Sequence, residues 1–214
     1  MSDFRPARRR MVERQLRARG IEDERVLTAM GEVPREAFLP EALRERAYAD
    51  SALPIGEEQT ISQPWIVAAI CQALELDGSE LVLEVGTGSG YSAGVLARLA
   101  AHVVSVERHP QLSEAAAEVL GSLGVGNVEI VVGDGSLGVA ARAPFDAIAV
   151  HAAAPTAPSA LIDQLAEGGR LVVPVSGKEA DVLTVLRRVG GRVETTELGP
   201  CRFVPLIGEE GFGG

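Results

Sequence analysis

The 214-residue sequence predicts an α/β fold. Its centre is a doubly wound, mostly parallel sheet with an antiparallel edge, and an N-terminal helical extension precedes it. Three observations predict this. From residue 78 onward, short continuous apolar runs alternate with helical stretches, the pattern of buried parallel strands covered on both faces. One of these runs leads directly into a glycine-rich turn and then a helix. The last apolar runs are joined by Gly190-Gly191, a hairpin signal. The boundary near residue 78 divides the chain into 1–77 and 78–214, which are expected to pack as one compact unit.

The elements follow in order. Arg5 to Arg19 reads as a helix stopped by Gly20, a usual residue just past a helix end. Asp23 to Met30 is a second, shorter helix. Val33-Pro34 and Leu39-Pro40 then interrupt the chain, because a residue before proline is pushed out of the helical region. Residues 49–63 read as a loop containing Pro54 and Gly56. Pro64 opens a helix over Trp65 to Leu74, since proline is tolerated in a first turn. Strands are predicted at 81–85, 102–106, 128–132, 145–150, 171–175, 182–189 and 193–196. Helices are predicted at 91–100, 111–123 and 158–165.

Composition bounds the function. Hydrophobic residues make up 46% and charged residues 23%, as in an ordinary globular chain. The net charge of −10 disfavours generic phosphate binding, so no nucleic-acid partner is expected. The first twenty residues depart from this, with seven Arg against Asp3 and Glu13; they form either a solvated helix face or a patch that steers an anionic partner. Cys71 and Cys201 give neither a disulfide framework nor a metal-ligand spacing. No apolar signal core or membrane-length apolar run is present. The expectation is a soluble, cytoplasmic, monomeric protein without a metal.

The segment Glu84-Val85-Gly86-Thr87-Gly88-Ser89-Gly90 sits between a predicted strand and a helix, the context in which a glycine loop binds a ligand. A dinucleotide fingerprint, G-x-G-x-x-G, would place its last glycine at Tyr91; the spacing here is G-x-G-x-G. Glu84 is awkward beside a pyrophosphate but suits a ligand bearing an ammonium and a sulfonium. The loop therefore favours S-adenosylmethionine over NAD, and with it a Rossmann-like fold of the class I methyltransferase kind. Glu107 ends the next strand about twenty residues on, where a carboxylate accepts from ribose hydroxyls; alone it reads as a surface charge. Asp134, between Gly133 and Gly135, either reaches an adenine amino group or makes an Asp-Gly turn.

Three further segments resemble one family: Leu53-Pro54-Ile55-Gly56 with Gln59-Thr60-Ile61-Ser62-Gln63-Pro64; Pro144-Phe145-Asp146-Ala147-Ile148 running to Ala152-Ala153-Ala154-Pro155; and Arg202-Phe203-Val204-Pro205-Leu206-Ile207-Gly208. With the glycine loop they resemble protein-L-isoaspartate O-methyltransferases over roughly residues 8 to 212. The resemblance implies methyl esterification of the free α-carboxylate of L-isoaspartyl residues in damaged proteins and peptides, with S-adenosyl-L-homocysteine as the second product. It maps the catalytic serine onto Ser62. Donor-binding positions map onto Gly86, Gly88, Gly90, Glu107, Asp134 and Gly135, and Glu84, Thr87, Ser89 and Arg108 complete that set. Ile61, Ser62, Ala152, Ala153, Ala154 and Arg202 would line the acceptor cleft.

The chemistry is compatible. A carboxylate is already ionised at neutral pH and needs no general base, and a sulfonium donor leaves as a neutral thioether. Alignment of the reacting atoms then carries most of the catalysis. Ser62 either holds the acceptor carboxylate or caps the helix opened by Pro64. Two departures stand out: Glu58 where the family usually has glycine, beside Glu57, and His151 where it usually has a small or uncharged residue. His151 is either satisfied by backbone groups or a source of pH dependence. Other readings are a carboxylate O-methyltransferase acting on aspartate in a dedicated peptide, and a non-catalytic donor-binding module.

Overall fold

A computed structural model describes residues 3–213. The N-terminal rod begins as helix α1 (Arg5–Met11), loosens into a π turn at Val12–Leu16, tightens into a 3-10 turn at Arg17–Arg19, and stops at Gly20, whose φ of 90° fits a left-handed terminus. Helix α2 (Glu24–Glu32) starts at Asp23, whose side chain accepts from the amides of Arg25 and Val26. The two proline steps that follow become 3-10 turns at Arg35–Phe38 and Glu41–Arg46.

Residues 49–63, expected as a loop, contain an antiparallel hairpin of β1 (Leu53–Gly56) and β2 (Gln59–Ile61). Its turn is Glu57-Glu58, with φ of 47° and 57°. Both central residues of such a tight hairpin need positive φ, usually met by Asn-Gly, so the sequence carried no turn signal. Helix α3 (Pro64–Leu74) follows as predicted.

The main sheet contains β3 (Leu81–Val85), β4 (His102–Glu107), β5 (Val128–Val132), β6 (Phe145–Val150), β7 (Leu165–Ser176), β8 (Asp181–Val189) and β9 (Arg192–Cys201), in the order β5-β4-β3-β6-β7-β8-β9. The strands from β5 to β7 pair in parallel, and β8 and β9 add the antiparallel edge. Helices α4 (Tyr91–Leu96), α5 (Pro110–Ser122) and α6 (Ser159–Asp163) complete the fold. Three predicted bounds are corrected. The helices expected at 91–100 and 158–165 are shorter. β7 begins six residues earlier than predicted, because Gly168-Gly169 forms an irregular stretch within the strand instead of ending it.

The strands bury both faces. Val82, Ala147, Ala149 and Val172 pack against the N-terminal helices and α3, whereas Leu83, Val85, Ile148 and Val150 form the core of the opposite face. This period-two division follows from strand geometry. Strand order reverses between β3 and β6, which opens a crevice at the carboxyl ends of the strands, the place where doubly wound sheets bind ligands. Among the described residues no helix is long and apolar enough to cross a membrane.

Candidate active site

A cavity of about 370 Å³ occupies that crevice, within the range of small-molecule sites. Its walls come from distant parts of the sequence: Glu57–Ser62, Val85–Ser89 with Tyr91 and Ser92, Val106–His109, Gly135, His151-Ala152 and Val204–Ile207.

The glycine loop is shaped by its own backbone. Gly86, Gly88 and Gly90 all have positive φ, 91°, 53° and 84°, a region costly for L side chains. Gly86 donates its amide to the Val106 carbonyl at 2.9 Å, which ties the loop to the end of β4. Glu107 fixes both edges of the crevice: one oxygen accepts from the Gly88 amide at 2.9 Å, the other from the His109 amide at 3.0 Å. Each oxygen keeps a further lone-pair direction, so the carboxylate can still accept from a diol. Gly135 is required for another reason. A Cβ there would fall 2.6 Å from Cγ1 of Val85, so only glycine lets the turn after β5 close onto β3.

Beneath the loop lies a row of buried polar groups. Thr87 Oγ1 is 2.5 Å from Ser105 Oγ, and Ser105 donates to Oε2 of Glu84 at 2.5 Å. Glu84 is fully buried. Among the described residues its Oε1 has no hydrogen-bond partner but stands 3.4 Å from Nε2 of His151, and neither ring nitrogen of His151 has a partner. Burial pushes the Glu84 carboxyl up to about 8, partly offset by the Ser105 hydrogen bond and reinforced by the charge of Glu107. Burial also pulls His151 down to about 4. The backbone satisfaction considered for His151 does not occur.

The hairpin forms the opposite wall. Glu57 lies 3.7 Å from Nδ1 of His109 and so reaches the loop after β4. Ser62 lines the cavity. Helix α3 has Gln63 at its N-cap and no side-chain cap hydrogen bond, so Ser62 does not cap it.

Of the residues expected to touch the donor, Gly86, Thr87, Gly88, Ser89, Glu107, Arg108 and Gly135 line the cavity, and of those expected at the acceptor, Ile61, Ser62 and Ala152 do. The others lie outside its walls. Glu84 is under the floor. Gly90 opens α4, where a Cβ would meet Ala116 Cβ at 3.0 Å. Asp134 accepts from the amide and hydroxyl of Ser136 and from the amide of Glu209, which holds it below the usual carboxylate range. Ala153 exchanges backbone hydrogen bonds with Val204 and Leu206, and Ala154 with Pro174 and Ser176. Arg202 is exposed at the end of β9. Sequence reasoning assigned no site role to Tyr91, Ser92, His109 or Ile207; only their nearness in sequence to the loop, to Glu107 and to Leu206 pointed to them.

Residues 7–211 match the sequence model of the family described as Protein-L-isoaspartate(D-aspartate) O-methyltransferase (PCMT). The chain belongs to the PCMT family. Relatives named protein-L-isoaspartate O-methyltransferase include one from Methanoculleus marisnigri, 56% identical over 97% of this chain and 94% of its own length. Another, from Syntrophobacter fumaroxidans, is 53% identical over the whole of both chains. Among solved structures, a protein-L-isoaspartate O-methyltransferase matches with a TM-score of 0.86 and 32% identity, covering 95% of this chain and 67% of its own. A PCMT structure from Plasmodium falciparum in complex with S-adenosyl-L-homocysteine matches with a TM-score of 0.80 and 26% identity, covering 97% and 99%. The G-x-G-x-G spacing and the crevice at the strand reversal are thus features of a PCMT-family fold.

Proposed function

We propose that this PCMT-family chain transfers a methyl group from S-adenosylmethionine to the free α-carboxylate of L-isoaspartyl residues in damaged proteins and peptides, a repair reaction. The observation that carries this reading is a single cavity walled on one side by the glycine loop and on the other by Gln59–Ser62. Donor and acceptor elements therefore face one another across one space.

The cavity fits the donor. Gly86 and Gly88 let the backbone approach a ligand closely, and the hydrogen bonds that orient Glu107 beside the loop support a ribose-binding role for it. Gly86–Ser89, Glu107, Arg108 and Gly135 are the residues we assign to it. When bound, the donor supplies an electrophilic methyl carbon on a positively charged sulfur. The chain's residues bind the two partners, exclude water and aim the acceptor oxygen. Ser62 has a hydroxyl free of helix capping and is assigned to donate a hydrogen bond to the acceptor carboxylate; Ile61 and Ala152 pack beside it. Glu84 acts from beneath the loop. The free thiols of Cys71 and Cys201 support a reducing, cytoplasmic setting, and the net charge of −10 supports protein rather than nucleic-acid partners.

The test is incubation with radiolabelled donor and paired peptides that differ only in isoaspartyl or aspartyl linkage. Base-labile label on the isoaspartyl member alone is the expected result. Equal labelling, or labelling of the aspartyl member alone, would reject the reading.

A further inference from the structure

Glu84 and His151 are each buried and incompletely satisfied, and they face one another. They sit on neighbouring parallel strands, Glu84 in β3 and His151 directly after β6, beside the strand reversal. Oε2 of Glu84 is held by Ser105, while Oε1 has no partner. The His151 side chain is 6% exposed, and Nδ1 and Nε2 both lack partners. Leaving buried polar groups unpaired is costly, and the nearest remedy for each is the other, with Oε1 to Nε2 at 3.4 Å.

We propose that Glu84 and His151 hold one proton between them, and that this pair is a positioning device which fixes the glycine loop under the methyl donor. The proton count follows from the chemistry. With no shared proton, the N–H of the neutral ring can donate from Nε2 to Oε1, but the pair then keeps a buried, uncompensated anion. With two, a buried imidazolium faces a neutral acid. One proton gives a hydrogen bond between the two atoms, with no net buried charge when it rests on the carboxyl.

The surroundings favour retaining that proton. The charge of Glu107, at the end of β4, disfavours an ionised Glu84, whereas the Cys71 thiol on α3, kept protonated by burial, adds no charge. Burial likewise disfavours a charged His151 ring. The link to the donor site is direct. The Cβ of His151 lies 3.6 Å from where a Gly86 side chain would begin, and Thr87 closes on Ser105. The pair thus supports the first two loop residues, Gly86 through His151 and Thr87 through Ser105. Removing the proton would leave an uncompensated anion below them.

The inference rests on the donor reading of the cavity and not on the nature of the acceptor. S-adenosyl-L-homocysteine affinity is measured by calorimetry from pH 6 to 9.5 for the wild-type protein and Glu84→Gln. Wild-type affinity is expected to fall about tenfold per pH unit once the shared proton is lost. Glu84→Gln is expected to show only the limb due to the ligand's own amino group. Superimposable profiles would overturn the proposal, and so would no binding at any pH, which would also sink the donor reading.

A second measurement requires no folded Glu84 variant and no turnover. The imidazole nitrogen signals of His151, assigned by their loss in His151→Gln, are followed by NMR in the wild-type protein. They are expected to stay constant through pH 6.5 and change only with the alkaline limb. An ordinary titration near pH 6.5 would overturn the shared proton whatever the acceptor is.

Discussion

Ile55 of the hairpin stands directly over Gly88 of the donor loop: a Cβ on Gly88 would begin 3.5 Å from Ile55 Cδ1. That is ordinary contact distance, so space does not forbid a side chain there; the φ of 53° is what penalises one. Gly135 presents the opposite case, with backbone acceptable to any residue but a Cβ 2.6 Å from Val85. Gly88→Ala is expected to cost about 1 kcal/mol of stability. Gly135→Ala should cost more, up to about 3 kcal/mol through overpacking. Urea unfolding of both variants checks the order, and a larger loss in Gly88→Ala would contradict it.

The hairpin turn holds a second prediction. Glu57 and Glu58 both occupy the left-handed region, and each position costs an ordinary residue about 1 kcal/mol. Replacing the pair by Asn-Gly should raise Tm by about 2–4 °C per kcal/mol recovered. These carboxylates also sit at the cavity wall. Acceptor peptides with Lys beside the isoaspartyl residue should therefore show kcat/KM about two- to fivefold above Glu-flanked ones at low salt. The preference should shrink at high salt and vanish in a Glu57→Gln, Glu58→Gln variant. A preference that survives in that variant would place its origin elsewhere.

Ser62→Ala separates function from folding. Because α3 takes no cap from Ser62, stability should change by less than about 0.5 kcal/mol. A lost hydrogen bond to a charged acceptor is worth about 1.5–3 kcal/mol, so kcat/KM for an isoaspartyl peptide should fall about 10- to 100-fold. S-adenosyl-L-homocysteine affinity should hold. Unaltered turnover would remove Ser62 from the acceptor site.

The buried pair also shapes stability against pH. Glu84 rises from 4.5 to about 8, so between these values the folded state holds a proton that the unfolded chain has lost, and stability falls as pH rises. His151 drops from 6.5 to about 4, so across that range the folded state lacks a proton that the unfolded chain holds, and stability falls as pH falls. From about pH 4.5 to 6.5 the two slopes cancel. From about 6.5 to 8 only Glu84 acts, and stability should decline by about 1.4 kcal/mol per pH unit at most. Chemical denaturation at several pH values should show this decline in the wild-type protein and not in Glu84→Gln. Equal slopes would show that Glu84 titrates as an ordinary carboxyl.

Much of the fold was legible because its signals are local. Leu81–Val85, the glycines after it and Glu107 are contiguous or about twenty residues apart, and the structure brings loop and carboxylate together. The hairpin at 53–61 was not legible: its strands are three or four residues long, Pro54 interrupts one, and its turn lacks glycine. The Gly-Asp-Gly sequence cannot reveal that Glu209, 75 residues away, donates its amide to one oxygen of Asp134. The approach of Glu84 to His151 was equally hidden, since it depends on β6 returning to lie beside β3.

The two-stranded sheet of β1 and β2 is separate from the seven-stranded sheet and shares no strand pairing with it. The hairpin assigned here to the acceptor is thus an accessory clip, while the glycine loop and its polar floor are embedded in the frame. Exchanging residues 53–62 between family members should then transplant peptide preference without rebuilding the nucleoside pocket, which makes this clip the natural place to graft new selectivity.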